Sequence, residues 1–302
     1  MIEELLKRAK REERTMRANT GMSRRQFQEL CLFFEQELLQ KALEKPRERR
    51  IGGGRKSVLK NTEGKVFFIL FYLKIYPTYD FASLLFLVHR MQPCRWVKSL
   101  LPILEKALRR SIDLPKRRIS SFQEFQEAFP ETFDILIDVT ERKAQRPFSD
   151  KNIKRRYSGK KKYHTRKNTV IVDENRRIGF ISRTRNGRFH DFALFKKESI
   201  ASYIPNRVWV WADKAYTGIK NLLMPDVAAV IPKKKKKKTP LTQEDKQKNK
   251  AINSIRALVE HAIGGMKRFT CMQVPIRNKD FLLEDLMPLI CAGLWNFHLK
   301  RI

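Results

Sequence analysis

Acidic residues are scarce in this chain. Its 302 residues hold 32 Asp and Glu against 65 Lys and Arg, a formal charge of +33. Such an imbalance calls for a polyanionic partner, because each phosphate neutralised by Lys or Arg releases condensed counterions. The rivals are an anionic membrane surface and an acidic protein. The basic residues run the whole length of the chain instead of gathering in one amphipathic helix, which favours nucleic acid. Cysteine is scarcer still. Cys31, Cys94, Cys271 and Cys291 stand alone, with no CxxC and no His at ligand spacing. That argues against a zinc site or a disulfide framework and for reduced core thiols in a cytosolic or nuclear protein. Long apolar runs are missing too, since Val66–Leu73 is far too short to span a bilayer. Residues 1–20 are charged throughout, unlike a secretory leader, and no 20–50-residue repeat is visible. What is present is 42% hydrophobic residues, enough for one large domain or two ordinary ones.

The first half reads as helical. Residues 1–45 predict two helices, the second capped by Ser23 and carrying Phe27, Leu30, Cys31, Phe34, Leu38 and Leu39 at helical spacing. Pro46–Lys56, with Ile51-Gly-Gly-Gly54, reads as a hinge or linker. Glu63–Tyr76 predicts an apolar helix stopped at Pro77, Asp80–His89 a shorter one, and Pro93 opens a third. In that third helix Trp96, Val97, Leu100, Leu101, Leu104 and Leu108 form an apolar stripe, and Arg95 and Lys98 lie on a cationic face. Two helices joined by a tight turn, the second cationic, suit a helix-turn-helix over residues 50–112, although the turn lacks the usual glycine. A small helical bundle with a solvated basic face is the competing reading.

From Glu131 the period changes. Phe133–Val139 is apolar on both faces, as in a mid-sheet strand. Thr169–Val172 and Ile178–Ser182 flank a hairpin signal, Asp173-Glu-Asn-Arg176. Val208–Ala212 and Val227–Ile231 predict two more buried strands. Helices are expected from Asp191 to about Ala201, over Asn249–Phe269, and over Leu282–Phe297, the last closing the core. Residues 130–302 therefore read as an α/β domain with a mixed sheet.

Two strand ends carry acids. Asp138 closes the first buried strand, and a bare buried charge costs too much to leave unpaired. Asp213 follows the second, in Ala212-Asp-Lys-Ala-Tyr216. Ends of neighbouring parallel strands converge where α/β sites form, and two adjacent aspartates repel unless a hard cation lies between them. On the late helix Arg256, Glu260 and Lys267 fall within an arc of roughly 60°, beside a separate stripe of Ile255, Val259, Ala262 and Met266. Each acid alone is as easily a salt bridge or a cap. Three in this order on strand, strand and helix are far more specific.

The segment Tyr157-Ser-Gly-Lys-Lys-Lys-Tyr-His-Thr-Arg-Lys167 resembles an element of insertion-sequence transposases in the DDE superfamily, with Harbinger-like enzymes as close kin. Gly187-Arg-Phe-His-Asp191 resembles their Gly–His–Asp element, and Ala212–Gly218 the motif around the second catalytic aspartate. Arg256–Lys267 reads R-x3-E-x6-K, similar to the signature of the third acid, and Phe133–Thr140 resembles the first-aspartate strand. One departure stands out: Asn253 occupies a position where related families often carry Tyr. The resemblance implies a ribonuclease-H-like domain with a mixed five-stranded sheet behind the N-terminal helix-turn-helix region. It further implies Asp138, Asp213 and Glu260 as catalytic metal ligands for two Mg2+ (or Mn2+). The activity it implies is cleavage of the element's terminal inverted repeats and strand transfer to target DNA.

Arg142–Lys167 holds 12 Lys or Arg against one acid, Asp150. Within it Arg146, Arg155, Arg156, Lys160, Lys161, Lys162 and His164 are candidate DNA contacts, joined by Arg256, Lys267, Arg95 and Lys98. A disordered basic loop and a structural histidine are the plainer alternatives. Asp191 is expected to cap the helix starting at Phe192, with service in the active site as the second option. Lys233–Lys238 reads as a loop, and Trp96, Trp209, Trp211 and Trp295 as core. The expected partner is double-stranded DNA bound by a homodimer or larger oligomer, with no membrane and no small-molecule substrate. Such a protein works at the nucleoid in a bacterial cytoplasm or in a eukaryotic nucleus. A silent transposase-derived DNA-binding protein and a metal-dependent nuclease without strand transfer are the alternative functions.

Overall fold

The computed structural model describes residues 2–44, 57–235 and 240–301. The expected hinge at 46–56 and the second half of the lysine run lie outside them. The chain divides into two compact units, one of residues 1–114, 267–273 and 278–302, the other of residues 115–266 and 274–277.

The first unit is helical. Helices α1 (Ile2–Arg11) and α2 (Glu13–Thr20) stand where one was expected, because the backbone turns extended at Glu12 (φ −127°, ψ 130°), and Gly21 in the left-handed conformation (φ 76°) ends the second. Ser23 caps α3 (Arg24–Leu43) as the sequence suggested. Its hydroxyl accepts from the Gln26 amide and the Gln26 side chain reaches back, a reciprocal capping box. Helix α4 (Thr62–Ile75) is buried from Val66 to Leu73, which explains its all-round apolar sequence. It ends at Tyr76, before Pro77 can interrupt it. Helices α5 (Tyr79–Phe86) and α6 (Met91–Arg110) follow. Phe68 of α4, Phe86 of α5 and Trp96 of α6 meet edge to face, with centroids 5.4 and 4.9 Å from Phe68. In the α5–α6 turn the absent glycine is replaced by Leu87, which adopts φ 51° itself. Helix α11 (Phe281–Leu299) was expected to close the sheet core. It packs instead on α6, with Gly293 set close against Leu108 and Leu114. A Cβ at Gly293 would stand 3.1 Å from both leucines.

The second unit is built on a mixed sheet. After α7 (Phe122–Ala128), which the sequence reading did not foresee, the strands are β1 (Asp134–Lys143), β2 (Tyr157–Ser158), β3 (Tyr163–Asp173), β4 (Ile178–Ile181), β5 (Arg185–Asn186), β6 (Trp209–Ala212) and β7 (Ala229–Val230). The main path β2-β3-β1-β6-β7 has five strands. On its far edge β3 is covered in turn by β2, β5 and β4. β1 pairs antiparallel with β3 and parallel with β6, and β6 runs parallel with β7. This is the mixed ribonuclease-H-like sheet that the sequence predicts. One face buries Ile135, Ile137, Ile171, Phe180, Val210 and Ala212 in a core closed by Phe125, Phe129 and Phe195. The predicted hairpin turn forms at Asp173, whose carboxylate accepts from the Asn175 and Arg177 amides. Helix α8 (Asp150–Arg156) lies between β1 and β2, α9 (Asp191–Glu198) precedes β6, and α10 (Gln243–Lys267) follows β7. Among the described residues no helix is long and apolar enough to cross a membrane.

Candidate metal and nucleic-acid site

The register of β1 on β6 sets up the site. Ile137 pairs with Ala212, so Asp138, in the middle of β1, lies beside Asp213, the residue that follows the end of β6, and not at a strand end as the sequence suggested. Each aspartate accepts the amide that follows it: Asp138 Oδ1 from Val139 at 2.7 Å, and Asp213 Oδ1 from Lys214 at 2.7 Å. Burial raises the Asp138 pKa above the usual carboxylate range. The neighbouring charges of Asp191 and Asp213 push the same way, while the Val139 amide and Arg256 oppose them. Four charged groups therefore share one locality. Arg256 reaches it from α10, with Nη1 3.6 Å from Asp213 Oδ1, and it also donates to Asn253, the residue in the tyrosine position.

Asp191 is the main correction. The sequence favoured a helix cap, but α9 already begins at Asp191, and His190 at the cap position makes no side-chain cap bond. The Asp191 carboxylate accepts instead from Lys167 Nζ at 2.8 Å, a lysine only 4% exposed on β3. Breaking a buried pair of this kind costs more than any surface ion pair, which fixes α9 against β3. Gly187, in the same motif, has its own reason. A Cβ there would collide with the Thr165 hydroxyl and the Arg156 carbonyl, so only glycine lets β5 approach β3 this closely.

Tyr216 is the residue that sequence reasoning missed. It is 1% exposed, wedged between Phe192 and Phe195 with centroids 6.0 Å away, and among the described residues its hydroxyl has no hydrogen-bond partner. Burial and the charges of Asp138, Asp191 and Asp213 hold its pKa far above the ordinary tyrosine value. It stays a protonated donor beside three carboxylates. Its place in Ala212-Asp-Lys-Ala-Tyr216, in a 3-10 turn whose Tyr216 amide bonds the Asp213 carbonyl, was the available signal.

Glu260 lies one turn beyond Arg256 on α10 and is exposed. Val259, Ala262 and Met266 beside it are buried, as their stripe predicts. Among the described residues no group of three or more His, Cys, Asp or Glu side chains forms a site that could hold a metal ion as it stands. The donor chemistry of Asp138 and Asp213 nevertheless suits a hard divalent cation. Both offer carboxylate oxygens side by side on neighbouring strands, and the Tyr216 hydroxyl in the same field, without a partner among the described residues, can donate to an oxygen held there.

The basic segment after β1 is ordered chain, contrary to the plainer loop reading. It forms α8 and the β2–β3 hairpin, which turns through Lys162 (φ 60°) with the Lys162 amide on the Ser158 carbonyl at 2.8 Å. Lys160, Lys161 and Lys162 stand exposed at the hairpin tip, and Arg146 and Arg155 are exposed on the approach to it. Arg156 and His164 are half-buried, and His164 packs against Tyr157 at 5.8 Å. Arg95 is exposed on α6, whereas Lys98 is 3.9 Å from Asp280. Lys267 is half-buried at the last position of α10. Trp209 departs from the expected core and is 50% exposed, while Trp96 is buried.

Residues 57–110 match the family model described as the helix-turn-helix of DDE superfamily endonuclease. A probable transposase for insertion sequence element IS702 from Microchaete diplosiphon is 29% identical over 237 residues, covering 78% of this chain and 80% of that protein. No solved structure matches. Residues 137–296, more than half of the chain, match the model described as DDE superfamily endonuclease, and the chain belongs to that superfamily.

Proposed function

We propose that this protein is a metal-dependent DNA transposase that binds its element's ends, cuts them and joins them to target DNA, with Asp138, Asp213 and Glu260 as the acidic triad. The observation that carries the reading is the β1–β6 register, which sets two aspartates side by side on neighbouring strands with Arg256 beside Asp213. Asp138 and Asp213, completed by Glu260 from α10, would hold Mg2+ or Mn2+. When bound, two such ions supply an activated water and stabilise the leaving 3′ oxygen of an in-line displacement.

The chain's own residues do the rest. Arg256 offsets the repulsion between the aspartates while no cation is bound. The Lys167–Asp191 pair anchors α9 behind the site, and α9 in turn supplies Phe192 and Phe195 to hold the Tyr216 ring. Tyr216 keeps its proton, and its hydroxyl is available to donate to an oxygen of the DNA or of a water held at the carboxylates. The hairpin lysines and Arg155 neutralise phosphates and position the duplex without reading its sequence. α5 and α6 supply the helix-turn-helix for recognising the ends, with Arg95 exposed on the second helix.

The test is cleavage of DNA carrying the gene's own flanks, with Mg2+ or Mn2+, by the intact protein and by Glu260→Gln. Nicks at the element boundaries that need metal and vanish in the variant support the triad and the substrate together. Tight binding without cleavage in any metal would instead identify a silent DNA-binding descendant. Cut ends that never appear joined to target would identify a nuclease.

A further inference from the structure

At the opposite end of the same strand pair the sheet carries an aromatic groove. Phe133, Asp134, Arg207, Trp209 and Trp211 line a cavity of about 430 Å³. Its lining is three aromatic rings, one cation and one acid, with no aliphatic side chain. Phe133 is 61% and Trp209 50% exposed, an unusual cost for large rings unless a ligand covers them. The acid is already committed: Asp134 Oδ1 accepts from Trp211 Nε1 at 2.6 Å, which fixes the indole and leaves its face as the contact surface. Arg207 stands exposed at the rim. Among the described residues neither indole stacks on another aromatic ring.

The location links this groove to the acids. Asp134 pairs with Trp209 and Leu136 with Trp211, so these residues share a sheet face with Asp138 and Asp213 by the two-residue period. Four residues of strand separate Asp134 from Asp138, about 13 Å at ~3.3 Å per residue. That is the length of roughly four stacked nucleotides at ~3.4 Å each. Trp209 and Trp211 are two residues apart, so their attachment points are separated by about 6.6 Å. A gap of that size matches one flat ring between two others at the ~3.4 Å stacking distance.

We propose that this groove takes an unpaired nucleobase of the DNA, stacked on Trp209 and Trp211 while Arg207 holds a neighbouring phosphate. This rests on the reading that the chain acts on DNA. A protein partner is disfavoured by the lack of aliphatic lining and by the chain's charge of +33, whereas base stacking needs only open aromatic faces beside a cation.

The test uses the full chain with two labelled probes, a twelve-nucleotide oligothymidylate and a fully paired duplex of equal length. Their binding is compared for the intact protein, Trp209→Ala and Trp209→Phe, each checked for an unchanged melting temperature. Trp209→Ala should weaken single-strand binding about 5- to 150-fold. Duplex binding should change less than about twofold, and Trp209→Phe should keep most of the single-strand affinity. Equal affinity of Trp209→Ala for the single strand overturns the proposal. So does equal loss on both probes, or loss of self-association in sedimentation, which would make the groove a protein contact. An intact chain that binds neither probe defeats the DNA-acting reading itself. A chain that binds and cuts duplex with no effect of Trp209→Ala defeats only the groove.

Discussion

The two units bury polar side chains in opposite ways. In the helical unit they are scattered: Glu37 accepts from Arg110, and Asn296 donates to the Asp113 carbonyl. In the sheet unit they are consecutive. Thr165, Arg166, Lys167, Asn168 and Thr169 on β3 are all buried, beside Thr140 and Arg142 on β1. On those two adjacent strands the buried groups find partners: Thr165 donates to Glu141, Arg166 to Asn186, Lys167 to Asp191 and Asn168 to the Ser182 carbonyl, which offsets the cost of taking them out of water. They lie just beyond Asp138, where β1 and β3 run on past the end of β6. The helical unit is a scaffold with polar caps, and the sheet unit is a scaffold with a polar interior at one end.

Substitutions sharpen this contrast. Lys167→Ala strands Asp191 beside Asp138 and should destabilise the protein by about 3–5 kcal/mol, the usual cost of breaking a buried pair. A denaturation midpoint within experimental error of the intact protein would mean that the polar strand end is not under this constraint. Tyr216→Phe removes a hydroxyl that has no partner among the described residues, so stability should hold or rise slightly. Metal-dependent cleavage should fall about tenfold, equivalent to ~1.4 kcal/mol. If stability drops instead, the hydroxyl serves the fold and not the site. In the helical unit Ser23→Ala should cost about 1 kcal/mol through loss of the capping box, read from the melting temperature, and should leave cleavage per folded molecule unchanged.

The smallest effect is a pH dependence of the helical unit. Burial, with Arg268 and Arg17 nearby, holds the His298 pKa down to about 4. The unfolded chain takes up its proton near pH 6.5, before the folded chain does. Stability from the neutral ring is therefore complete above about pH 6.5 and is lost as pH falls toward 4. His298→Gln should flatten that part of the melting-temperature profile. An unchanged slope between pH 6.5 and 4 would assign the acid sensitivity elsewhere.

Much of the site was legible from pattern alone. Phe133–Val139 and Val208–Ala212 are apolar on both faces because they are mid-sheet strands, and that brought Asp138 and Asp213 together, although β1 runs on past Asp138 to Lys143 in a polar stretch that does not read as buried strand. The stripe through Val259, Ala262 and Met266 oriented α10. What escaped depends on partners distant in sequence. Asp191 reads as a cap locally, and only the fold brings Lys167, 24 residues earlier, to its carboxylate. Trp209 reads as core within Val-Trp-Val-Trp-Ala. β7 pairs only from Val210 onward, which leaves the first tryptophan at an open strand start. Helix α11 is apolar enough for any core, and apolarity does not say which core it joins. The helix-turn-helix turn could be placed without its glycine, but not the left-handed Leu87 that replaces it.

The most direct test of the central claim is a Mn2+ titration of the full chain by calorimetry, set against an Asp138→Asn, Asp213→Asn double variant whose fold is verified by its melting profile. The account predicts saturable Mn2+ binding in the intact protein and its loss, by at least about tenfold in affinity, in the variant. Equal binding by both proteins would contradict it and move the metal site away from Asp138 and Asp213.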